Sequence, residues 1–66
     1  MNVNNIKAEL IMKNVKQTEI ARSLGITSAS VNEVITGRRK NPRIREAIAA
    51  AINKPVSEIW PEAEQN

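Results

Sequence analysis

Apolar residues along this 66-residue chain recur at helical spacing almost throughout. A helix turns about 100° per residue, so positions i, i+3, i+4 and i+7 share a face. Ile6 and Leu10, with Ile11 beside them, predict a first helix. It starts at Asn4 or Asn5, both good N-cap types, and ends at Asn14. A second helix covers residues 17–24, with Ile20, Ala21 and Leu24 facing inward. Gly25 then permits a left-handed turn, and Ile26 plugs that turn into the core. Thr27 or Ser28 caps a third helix that runs to about Thr36, where Gly37 ends it. Ile44, Ile48 and Ile52, with Ala47 and Ala51 beside them, form an amphipathic fourth helix opened by Pro42 and ended or followed by Pro55. A last turn spans about residues 56–60 and stops at Pro61. No alternating run bounded by turn residues marks a strand. The expected fold is all-α, a compact five-helix domain over residues 1–61, with residues 62–66 a frayed acidic tail.

The third helix has two unlike faces. Val31, Val34 and Ile35 point into the core. The opposite face carries Ala29, Asn32, Glu33 and Thr36, with Ser28 at its edge. It is short, polar and uncharged except for Glu33. An ordinary solvent face is richer in Lys and Glu spaced as i, i+4 pairs. Here the cations crowd the flanks instead: Lys16 before the helical hairpin, Arg22 on it, and Arg38, Arg39, Lys40 and Arg43 after it. Such an arrangement suits a duplex, with cations near phosphates and short hydrogen-bonding side chains near base edges.

Charge strengthens that picture. The formal net charge is +3, but residues 1–54 hold all ten Lys and Arg against four acids, for +6, and residues 55–66 hold three acids and no base, for −3. A basic body points toward a polyanion. The plainer reading of the 38–43 run, RRKNPR, is a solvated loop.

Composition removes several function classes. Cysteine and histidine are absent, which excludes disulfides, zinc sites of the usual kind and Cys- or His-based catalysis. The seven Glu are scattered, with no nucleophile or metal ligand set beside them, so no enzyme, cofactor, metal or small-molecule ligand is expected. No apolar run approaches the roughly 20 residues of a membrane span. The start, MNVNNIKAEL, lacks the basic and apolar regions of a secretion signal, so a cytoplasmic protein is expected. With Trp60 as its one aromatic residue, the chain lacks the rings of a single-strand or RNA stacking platform.

Residues 17–37, QTEIARSLGITSASVNEVITG, resemble the helix-turn-helix of the phage repressor/Cro family. That pattern has glutamine first, a small residue fifth, glycine ninth, and apolar residues at the fourth, eighth, tenth, fifteenth and eighteenth positions. Gln17, Ala21, Gly25, Ile20, Leu24, Ile26, Val31 and Val34 meet it without insertion. The likeness extends over about residues 4–60, through a first helix, a basic loop ending in Pro42-Arg43 and a fourth helix. VSEIWP, residues 56–61, is weakly similar to small Ner-like regulators. Two positions depart from the family. An Arg–Glu pair that some members carry is replaced by apolar Leu10 and Ile35. Lys16 stands where Ser, Thr or Asn is the common N-cap.

The resemblance implies a lambda-repressor-like domain that binds double-stranded DNA. Its function would be transcriptional regulation, as a Cro- or Ner-like repressor occupying an operator, in a bacterial cytoplasm or nucleoid, whether the gene is phage-encoded or cellular. It implies base contacts for Ser28, Ala29 and Glu33, and the face argument adds Asn32 and Thr36. Gln17, Thr27, Thr36, Arg38, Arg39, Lys40 and Arg43 are the expected phosphate contacts, with a minor-groove role for Arg43 as the alternative the family suggests. Trp60, near Val56 and Ile59, is either a core plug or, with those two, a homodimer contact, which would make the operator near-palindromic. The rival reading is an antitoxin-like protein-interaction module whose acidic segment, Glu58 to Glu64, covers a protein partner.

Overall fold

The structure, a computed structural model, describes residues 1–62. Five helices follow one another: α1 (Val3–Met12), α2 (Gln17–Leu24), α3 (Ser28–Ile35), α4 (Pro42–Ile52) and α5 (Val56–Ile59). No strand occurs among the described residues. The fold is therefore all-α, as the spacing of apolar residues predicts.

Ile6, Leu10, Ile20, Ala21, Val31, Val34, Ile35, Ile44, Ile48, Ala49, Ile52, Ile59 and Trp60 form a single buried cluster. Every helix contributes to it. Val31, Val34 and Ile48 are wholly buried, so α3 and α4 form its centre. Leu10 and Ile35 both belong to this cluster, so these two positions are apolar and buried together.

Helix α1 starts two or three residues earlier than expected. Asn2, not Asn4 or Asn5, is the N-cap, and its side-chain oxygen accepts from the Asn5 N–H at 2.7 Å. The reason is packing: a start at Val3 adds a third residue to the i, i+3, i+7 row of Val3, Ile6 and Leu10, and Val3 packs against the core. Ile11 does not join them. One residue past Leu10, it points outward and is 79% exposed, beside Met12 at 75%.

The ends of α1 to α4 share one device. Asn14, Gly25, Gly37 and Asn53 all have positive φ, between 57° and 88°. Behind each, the next residue's N–H reaches a carbonyl five residues back: Val15 to Leu10, Ile26 to Ala21, Arg38 to Glu33 and Lys54 to Ala49, at 2.8–3.0 Å. This Schellman geometry satisfies carbonyls that a helix end leaves open. Asn53, rather than Pro55, is thus what stops α4.

Lys16 cannot cap α2 with its side chain, because an ammonium has no acceptor. The helix start is closed from the other direction, by Glu19 Oε1 accepting from the Lys16 N–H at 3.1 Å. Thr27 caps α3 by accepting from the Ser30 N–H at 3.2 Å. Asn41 caps α4, accepting from the N–H groups of Arg43 and Ile44 at 3.0 and 3.2 Å, directly before Pro42.

The last turn is fastened from two sides. The Met1 ammonium donates to the Ile59 carbonyl at 2.8 Å. Arg45, on the buried face of α4, donates through Nη2 to Glu62 Oε1 at 2.6 Å and lies over the Trp60 ring. Glu62, expected to begin a frayed tail, is instead tied to α4. The rest of that tail, with Glu64, lies outside the described residues.

Candidate nucleic-acid interface

The helical hairpin of α2 and α3 presents the outer face of α3. Its register is fixed from within, because Val31, Val34 and Ile35 cannot leave the core. Ala29, Asn32 and Thr36 are exposed, and Ser28 and Glu33 are half-buried on the same side. The structure thus brings the four expected base-contacting residues, Ser28, Ala29, Asn32 and Glu33, onto one helix face. Gly25 supplies the turn between the helices at φ 70°, and the small Ala21, 3% exposed, sits in the core at that turn.

The expected phosphate contacts lie at the start of α2, at the two ends of α3, in the loop after it and in the first turn of α4. Gln17 is the first residue of α2, half-buried, where backbone N–H groups point out of a helix start. Thr27 is committed to capping, and Thr36 donates its hydroxyl to the Glu33 carbonyl at 3.2 Å. Arg38, Arg39, Lys40 and Arg43 are all exposed. Gly37 turns the chain so that the N–H groups of Arg38 and Arg39 both donate to the Glu33 carbonyl, at 2.8 and 3.2 Å. The first two residues of the basic loop are therefore held against the end of α3.

Two side-chain relationships escaped sequence reasoning. Arg39 Nε lies 3.2 Å from Glu33 Oε2, so the one acid on the α3 face is paired. Its signal was an opposite charge six residues later, across a glycine stop that reverses the chain. Arg45 is the second. The sequence reading counts it only in the net charge of the basic body, and it is 6% exposed. Its signal was its position, three residues before Ile48 and seven before Ile52, on the apolar face.

The three expected dimer residues separate. Ile59 and Trp60 are 1% and 6% exposed inside the chain's own core, and half-buried Val56 alone retains surface. Trp60 is thus a core plug. Between α2 and α4 runs an open groove of about 340 Å³, lined by Val15, Glu19, Ile20, Ser23, Ala47, Ala50 and Ala51. Glu19 is the one carboxylate in that lining, and it already accepts the Lys16 N–H. Among the described residues no cluster of three metal-ligating side chains forms, and no helix is long and apolar enough to cross a membrane.

A protein-family model described as winged helix-turn-helix DNA-binding matches residues 1–63. The match spans all five helices, while the described residues hold no strand from which a wing could be built. Neither the curated proteins nor the solved structures contain a match to the chain.

Proposed function

Because the chain belongs to the winged helix-turn-helix DNA-binding family, we propose that it is a sequence-specific transcriptional regulator. It acts as a repressor of the Cro or Ner kind, on double-stranded DNA at the nucleoid, by occupying an operator. Helix α3 enters the major groove. Ser28, Ala29 and Asn32 face the bases: Asn32 can bond adenine at N6 and N7, and Ala29 can touch a thymine methyl. Gln17 offers the start of α2 to a phosphate. Arg38, Lys40 and Arg43 neutralise phosphates beside the groove, and Thr27 and Thr36 lie at the two ends of α3 where the backbone passes.

The observation that carries this reading is the outer face of α3. It is short, polar and free of unpaired charge, and exposed cations stand on the segments before and after it in the chain. A helix face with that composition lacks the long charged side chains of an ordinary solvent face and suits a groove between two rows of phosphates.

The test is selection of binders from a random duplex pool with the purified protein. Enrichment of a defined motif supports the proposal. Two inverted half-sites one helical turn apart, about 34 Å, add a two-fold dimer to it. A single short motif points to monomeric or head-to-tail binding. A pool that stays unenriched overturns the proposal.

A further inference from the structure

We propose that Arg39 reads a guanine in the major groove and that Glu33 is its positioning residue, not itself a reader. This rests on α3 lying in that groove. Glu33 belongs to the outer face of α3, one turn beyond Ala29. Arg39 lies beyond the helix end, where sequence alone makes it one more phosphate cation. The fold moves it. With Gly37 at φ 88°, the backbone N–H of Arg39 is bonded to the Glu33 carbonyl at 3.2 Å, and its side chain returns to the Glu33 carboxylate. The guanidinium is thereby carried from the loop onto the reading face.

Which atoms pair decides what remains. Glu33 Oε2 lies 3.2 Å from the Nε of Arg39, an ion-pair contact at the inner end of the guanidinium. The contact is nearest Nε, one donor of five, and the side chain is 60% exposed, so the two terminal amino groups can turn to a ligand. Those amino groups form the fork that matches O6 and N7 of guanine. Glu33 also holds the long side chain in one orientation, so less rotamer freedom is lost on binding.

Charge separates this role from phosphate contact. A carboxylate beside Arg39 cancels much of its attraction for a phosphate, while leaving its directional hydrogen bonds intact. Among the described residues Arg38 and Arg43 make no ion pair, so they keep their full charge for the backbone. The pairing also explains how an acid is tolerated on a face that approaches a polyanion. Unpaired, Glu33 would be repelled by the phosphates on either side.

The test is motif selection with the wild type, Arg39→Ala, Glu33→Gln and the double variant, each first checked for helical content by circular dichroism, with affinities measured across a salt series. The wild-type motif should contain a G·C pair at which Arg39→Ala loses about ten-fold preference, other positions being unchanged. Glu33→Gln should weaken preference at that same pair. In the Arg39→Ala background it should change nothing further, which a direct reader could not mimic. Two results overturn the inference. If Arg39→Ala weakens all sequences evenly and lowers the salt slope by about one, Arg39 is a phosphate contact. If Glu33→Gln still relaxes a base pair without Arg39, Glu33 reads that base itself. An unenriched wild-type pool refutes groove binding as a whole, a different failure from either.

Discussion

The guanidinium of Arg45 lies 4.9 Å from the centroid of the Trp60 ring, inside the fold rather than on it. Arg45 is 6% exposed, and its Nε has no hydrogen-bond partner among the described residues. Its charge is met by the negative face of the indole on one side and by Glu62 at 2.6 Å on another. Helix α4 is thereby joined to the chain that follows α5, and the largest side chain of the molecule is fixed against the core. A chain of this size buries a modest fraction of its surface, so one such junction is a considerable part of its stability.

The planar stack is specific to arginine. Arg45→Lys keeps the charge but loses the flat ion over the ring and the fork toward Glu62. It should destabilise the domain by about 1–2 kcal/mol, and Arg45→Ala by about 2 kcal/mol or more. Thermal melts followed by circular dichroism check the order. Trp60, the only aromatic residue, supplies a second readout: its fluorescence emission should move to the red in both variants. Arg45→Lys melting with the wild type would make the stack energetically idle.

The same junction gives an acid-side pH dependence. The hydrogen bond from Arg45 is the main cause holding the Glu62 carboxyl below its ordinary value of 4.5, helped by its own backbone N–H. Depression of the folded-state value means the unfolded chain binds the proton more readily. The contribution of this pair is then fully present above about 4.5 and is lost as pH falls through the lower folded value. Glu62→Gln removes that titration. Its stability should therefore fall less steeply on acidification than the wild type's, when both are compared by denaturant midpoints from neutral pH downward. Parallel curves would refute the assignment.

Much of this was legible in the sequence, for identifiable reasons. Helix α2 and its stop followed from Ile20, Ala21, Leu24 and Gly25, because burial and left-handed turns both restrict residue type strongly. The reading face of α3 followed from Val31, Val34 and Ile35, since fixing one face of a helix fixes the other. What escaped were choices among equals and relationships across distance. Three asparagines compete to cap α1, and the winner is set by whether Val3 gains the core. Ile11 counts as apolar in any pattern, yet no element packs over it. Glu33 with Arg39 and Arg45 with Glu62 are joined only by the turns between them, which periodicity does not describe.

The four left-handed helix stops make a graded series. A Cβ added at Gly25 meets nothing within 4 Å, so Gly25→Ala costs only its backbone strain at φ 70°, about 1 kcal/mol. Asn14 and Asn53 hold the same conformation with a residue that tolerates it. Asn53→Gly should leave stability within a few tenths of a kcal/mol, while Asn53→Ala should lose about 1 kcal/mol, as Gly25→Ala does. Denaturant titration of the three variants decides it. A large loss in Asn53→Gly would mean that the side chain, not the backbone angle, matters there.

Arg43 follows Pro42 in the first turn of α4, and its backbone N–H is taken by Asn41 at 3.0 Å. Its side chain is exposed and makes no ion pair among the described residues. As a phosphate contact it attracts any sequence equally, and each phosphate neutralised releases about one counterion's worth of salt dependence. Arg43→Ala should thus weaken binding to selected and random duplexes by the same factor and lower the slope of log affinity against log salt by about one. The fold should be untouched, because the Asn41 cap uses the Arg43 backbone. If the loss is instead confined to duplexes with particular sequences between the half-sites, Arg43 enters a minor groove whose width those sequences set.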